Sequence, residues 1–257
     1  MSVPFVLLLI LLFLMAMVGE NRGVKSFFIL LLNFCAFFVL LKFTAAGFNP
    51  VKVTVAGCSV ISFITLFFIN GFNKKTFASF LSVIAVVLLT LLLTYHVTAE
   101  AKVHGFSNEI PGSAAHLSYY VHVNFSDLFL SEILIGLIGA IIDVSISISS
   151  SMNEILKNNA LISKVKLLKS GINIGKDILG TMANTLLFAF MSGFLTLLIW
   201  MKIVDYPFSD IINSKIFGGE VFQILCGGIG IILIIPITAL MATAVLFFNG
   251  RGRSGEV

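Results

Sequence analysis

Residues 132–155 read EILIGLIGAIIDVSISISSSMNEI, an apolar run with small and polar side chains at helical intervals and one carboxylate, Asp143, inside it. On a helix, Glu132, Gly136, Gly139, Asp143, Ser147, Ser150 and Glu154 recur every three or four residues and share one face. Leu134, Ile138, Ile141 and Ile148 cover the rest. The alternation from Asp143 to Ser149 also fits a strand, but one open strand cannot satisfy its backbone in lipid. Small residues let another helix approach closely where packing and interhelical hydrogen bonds drive association. The stripe, with Gly136, Gly139, Ser147, Ser150 and Glu154 as its packing residues, therefore reads as a helix-contact surface.

Working outward, the next informative segment is GINIGKDILGTMANTLLFAFMSG, residues 171–193. Asp177, Thr181, Asn184 and Thr185 fall on one face by their spacing. If the first of these two spans ends near Ser149, Asp143 lies about 9 Å deep at ~1.5 Å per residue, and a span starting near Asp177 places Thr181 about 6 Å and Asn184 about 10 Å deep. The expectation is that the two helices are neighbours with these groups facing each other. An ionised carboxylate in a spanning helix costs roughly 2.5–3.5 kcal/mol on insertion scales, so something must compensate Asp143. Two readings stay open: a carboxyl held by Thr181 or Asn184 as structural glue, or a proton- or cation-binding group in a permeation path.

Composition sets the class. The chain has 257 residues, 58% hydrophobic and 11% charged, with a mean hydropathy of +1.09. Ordinary soluble domains carry charge at about a quarter of positions. The expected fold is an all-α integral membrane protein in a single polytopic domain, with the lipid bilayer as its first partner. Seven spans are predicted, over residues 3–18, 26–46, 53–70, 77–95, 128–149, 178–201 and 221–248. An outer loop occupies 97–126, and a basic cytoplasmic connector 152–176. No positive stretch precedes the first apolar run, so it reads as a retained span rather than a secretory signal. The turn after Phe48 runs through Asn49 and Pro50; Thr76 reads as the N-cap of the fourth span. Gly171–Gly175 reads as a break between a short surface helix and the sixth span. Pro236 and Gly227, Gly228 and Gly230 predict a kinked or interrupted seventh.

Charge orients the chain. Eleven of its sixteen Lys and Arg residues, including Arg22, Lys25, Lys74, Lys75 and the connector lysines, fall in expected inner segments. That bias places the amino terminus outside and the carboxyl terminus in the cytoplasm. The net charge of +4 is spread over short loops and gives no nucleic-acid footprint. Cys35, Cys58 and Cys226 stand singly in apolar runs without metal or disulfide spacing. His104, His116 and His122 lie in the outer loop with no compact ligand spacing. No metal and no cofactor are implied. Asp143 and Asp177 lack the GxGD context of intramembrane aspartyl proteases, and no GxSG occurs, so an enzyme is not expected.

GAIIDVSISISSSMNE at 139–154 and SGINIGKDILGTMANTLLFAF at 170–190, with NGFNKKT at 70–76, resemble the signature of the YibE/F family of bacterial multi-spanning proteins. That resemblance implies an integral protein of the bacterial plasma membrane, often paired with a larger relative bearing an extracytoplasmic domain, and supplies no substrate. The last three spans are also similar to those of resistance-nodulation-division transporters and of the SecD and SecF translocation subunits. This second likeness implies proton coupling at Asp143 with Asn184 or Thr185 as partner. Those proteins carry a large outer domain after their first span, whereas this chain has no segment of that size there. Two functions follow as expectations: a transporter or transport subunit that exchanges a proton or cation at Asp143, or a non-transporting scaffold that docks a partner through its Gly/Ser face.

Overall fold

A computed structural model describes residues 3–101, 124–159, 161–203 and 205–248. The expected histidine-bearing loop and the terminal arginines lie outside them. Every regular element among the described residues is helical: α1 (Val3–Ala45), α2 (Pro50–Phe63) with a π-helical turn (Ile64–Phe68), α3 (Lys74–Ala101), α4 (Phe125–Asn158), α5 (Lys164–Ile203), the short α6 (Phe208–Asn213) and α7 (Lys215–Phe247). Lipid offers no partner for backbone amides, and a helix satisfies its own. Among the described residues six helices are long and apolar enough to cross a membrane, α1 counted once.

Local chemistry sets several helix starts. Asn49 caps α2, its Oδ1 accepting from the Lys52 amide at 3.1 Å, with Pro50 in the first turn where its missing N–H costs nothing. The Asn124 side chain accepts from the Ser126 amide to open α4, and Ser214 Oγ accepts from the Phe217 amide to open α7. Gly71 takes a φ of +76° in the turn between the π-helical segment and α3, a value glycine adopts freely. Rings of Phe63, Phe67, Phe72 and Phe80 pack around that turn at centroid separations of 4.7–6.2 Å.

α4 is the axis of the bundle. α2, α3, α5 and α7 all pack on it. Its Leu134, Leu137, Ile141, Val144 and Ile148 are buried with Val83 and Val86 of α3 and Ile231 and Ile234 of α7. Small residues bring the helices together: a Cβ on Gly230 would stand 2.6 Å from a Leu137 methyl, and one on Gly136 2.7 Å from the Phe190 ring.

Four of the helices differ in detail from the sequence expectations. Helical structure runs from residue 3 to 45 with a break at Glu20, whose φ of 48° and ψ of −134° bend the chain so sharply that Gly23 lies against the Met15 carbonyl. α3 starts at Lys74, so Thr76 is a buried first-turn residue whose Oγ1 has no partner, not a cap. α5 runs unbroken through Gly171–Gly175, because these glycines serve close packing: Gly171 faces Met152 and Ala239, and Gly175 faces Ile235. The surface helix expected in the connector is instead the first turns of α5, and Val165 is 75% exposed there. α7 continues through Pro236, so of the expected kink or interruption the interruption is not found.

Candidate functional site

The exposed residues of α4 between positions 126 and 156 are Glu132, Gly136, Gly139, Asp143, Ser147 and Glu154, and Ser150 is half-buried among them. They are the stripe picked out by spacing. Within the chain this face meets Phe190 and Gln223 at Gly136 and borders a cleft at Glu132, while a Cβ on Gly139 would meet nothing within 4 Å. The helix that is otherwise the best covered in the bundle thus leaves one polar strip open along its length.

Packing inside the chain uses the opposite side of α4. Ser145 and Ser149, not Ser147 and Ser150, meet other helices. Ser79 of α3 and Ser149 join hydroxyl to hydroxyl at 2.5 Å, Ser145 Oγ donates to the Ser79 carbonyl at 3.3 Å, and Thr238 of α7 donates to Ser145 Oγ at 3.1 Å. All four residues are buried. Ser145 and Ser149, four apart on α4, were the available signal. The run Ser145-Ile-Ser-Ile-Ser149 carries serine on both faces, so its pattern alone does not choose between them.

α5 is a neighbour of α4, as expected. The expected pairing across that interface is not made. Asp177, Thr181, Asn184 and Thr185 are exposed, while Gly175 and Leu186 turn inward. Thr181 Oγ1 donates to the Ile178 carbonyl at 2.9 Å and Thr185 Oγ1 to the Thr181 carbonyl at 2.9 Å, both within α5. Hydroxyls bonded back to their own helix need no second helix. Neither Asp143, Asp177 nor Asn184 takes a hydrogen bond among the described residues. Among the described residues Asp143 is therefore accessible, central and without a hydrogen-bond partner.

The basic end is more fully assembled. Arg22 and Lys25, just beyond the Glu20 bend, converge with Lys75 and Asn70 on a cavity of about 260 Å³. Two loops assigned to the same side by their charge thus meet in space. At the end of α4, Lys157 Nζ bonds Glu154 Oε1 at 2.9 Å on the surface. That bond, with the charges of Lys157 and Lys75, holds the Glu154 carboxyl below the usual carboxylate range.

A family model described as YibE/F-like protein matches residues 7–247. No curated protein and no solved structure matches the chain.

Proposed function

From the premise that the chain belongs to the YibE/F-like family, we propose that it is the membrane subunit of a transport complex of the bacterial plasma membrane, in which Asp143 binds and releases a proton or cation. The chain is a multi-pass membrane protein by family and by its apolar helices. What supports the finer reading is one observation: the residues of α4 left uncovered are those of the Gly/Ser stripe, with Asp143 in its middle. A carboxylate facing lipid is expensive, and intramembrane acids that persist face other helices, water or each other. The strip is smooth enough for a partner helix, because glycine and serine let backbones approach. A larger companion of the same family is the partner the reading calls for. The likeness to the last spans of resistance-nodulation-division and SecD/SecF proteins points to the same carboxylate.

The test is reconstitution of the chain with its companion in vesicles carrying an internal pH dye. With Asp143→Asn, proton movement should be lost while the complex still purifies intact. A variant with undiminished proton movement would overturn the coupling role. If the reconstituted pair moves no proton yet Ser147→Cys cross-links to the companion, the chain is a scaffold that docks through this face.

A further inference from the structure

At the Asn124 end of α4, a cleft of about 430 Å³ opens between α1, α2, α4, α5 and α7. Its walls are apolar, with Phe37 and Leu40 on one side and Ile135 and Phe190 on the other, and Glu132 opens onto it. Two of its hydroxyls are already engaged: Ser131 bonds the Asp127 carbonyl at 2.8 Å and Thr44 the Leu40 carbonyl at 3.0 Å. Two further polar side chains are not. Gln223, 4% exposed, and Thr54, 3% exposed, line the cleft and take no hydrogen bond among the described residues. The polar atoms of these two otherwise buried side chains are not sealed off but keep access to the cleft, so an amide and a hydroxyl stand unused toward one space, and a ligand there can pair them.

The charge of the cleft narrows the ligand. Gln223 Nε2 stands 3.5 Å from where a Cβ on Gly136 would be, one helical turn from Glu132, so the amide and the carboxylate border the same space. Glu220, one turn before Gln223 on α7, lies within electrostatic reach of Glu132. Among the described residues no cation pairs with either of them, for the ion pair found there is Lys157 with Glu154 at the other end of α4. A hard metal ion needs six or more oxygen ligands around it, and these walls are mostly carbon. A cation with an apolar body meets both demands, and ligand pockets of about 300–1,000 Å³ combine apolar walls with a few such polar groups.

We propose that this cleft binds an amphipathic organic amine. The ammonium donates to the Glu132 carboxylate, to the Gln223 side-chain carbonyl and to the Thr54 hydroxyl. The apolar body lies between Phe37, Leu40 and Phe190. Binding at this cleft requires neither titration of Asp143 nor transport.

The experiment uses the full chain in phosphatidylcholine nanodiscs and isothermal titration with 2-phenylethylammonium, with 2-phenylethanol as its neutral counterpart and empty nanodiscs as the reference. Saturable binding of the amine is expected, with the alcohol about tenfold or more weaker because the charge-assisted hydrogen bond is lost. Glu132→Gln should weaken the amine by about tenfold and leave the alcohol unchanged. Thr54→Val, nearly isosteric, gives a smaller loss and serves if Glu132→Gln does not fold, and Leu225→Ala on the lipid-facing side of α7 should bind as the parent does. Equal binding of amine and alcohol would show an apolar groove filled by lipid chains. That result, absence of saturable binding, or a Thr54→Val and Glu132→Gln pair indistinguishable from the parent would each overturn the proposal.

Discussion

Thr238 of α7 donates a hydrogen bond to Ser145 of α4 at 3.1 Å, and Ser145 in turn donates to the Ser79 carbonyl of α3. This small chain ties three helices where no solvent could replace it. Hydrogen bonds between membrane helices are worth about 0.6 kcal/mol each, up to about 1.7. Thr238→Val keeps the shape and removes the donor, so it should lower stability by about 0.5–1.5 kcal/mol, read from unfolding in graded detergent. Ser147→Ala, on the open side of the same helix, should leave stability within about 0.5 kcal/mol of the parent. A larger loss at Ser147 than at Thr238 would show that the packed and open faces of α4 are exchanged.

Gly23 and Gly139 make a second contrast. A Cβ on Gly23 would meet the Met15 carbonyl, which is backbone and cannot step aside, whereas one on Gly139 meets nothing within 4 Å. Gly23→Ala should open the bend at Glu20 and cost about 1–3 kcal/mol, the range of forced overpacking. Gly139→Ala should be neutral in the isolated chain, or slightly stabilising, because alanine favours a helix by about 1 kcal/mol over glycine. Replacing Glu20 by glycine should stabilise, since it relieves a φ of 48°. Equal thermal melts for Gly23→Ala and Gly139→Ala would contradict the bend.

Much of this architecture was legible in the chain. The apolar runs gave the helices, Asn49-Pro50 gave a turn, and the spacing from Glu132 to Glu154 gave one face of α4 with Asp143 on it. The direction of that face was not legible. In a soluble protein a polar stripe points to water and an apolar one to the core. In lipid both surroundings are apolar, so periodicity finds a face without saying what it meets. The same limit explains Gly171 and Gly175: glycine reads as a break where water can take the freed backbone groups, but within a packed bundle it makes room for Met152 and Ile235. The cleft polar groups escaped notice because Gln223 and Thr54 come from helices far apart in sequence, and only the fold sets them beside Glu132.

The surface ion pair predicts a titration. Lys157 holds the Glu154 carboxyl below its ordinary range through a hydrogen bond and its charge. A depressed folded-state pKa gives stability that is present above the unfolded carboxylate value and is lost as pH falls through the folded one. Lys157→Ala should therefore move the Glu154 titration, followed by carboxyl carbon NMR, up toward the ordinary value. The melting temperature near neutral pH should hardly change, since exposed pairs are screened and weak. An unmoved titration would mean that the charge of Lys75 sets the shift.

Asp143 and Asn184 supply the sharpest test of how the two polar faces relate. They sit on adjacent helices, both are exposed, and neither takes a hydrogen bond among the described residues. Residues that do not touch contribute independently, within about 0.3–0.5 kcal/mol. A double-mutant cycle with Asp143→Leu and Asn184→Leu on the isolated chain should thus give a coupling below that limit. Asp143→Leu alone should raise stability or insertion, by up to about 2.5–3.5 kcal/mol, because it removes an uncompensated carboxylate from lipid. The same substitution should weaken the complex with a companion if that partner supplies the missing donors. A coupling above about 0.5 kcal/mol in the isolated chain would mean that α5 turns its polar face onto α4 in another state of the bundle.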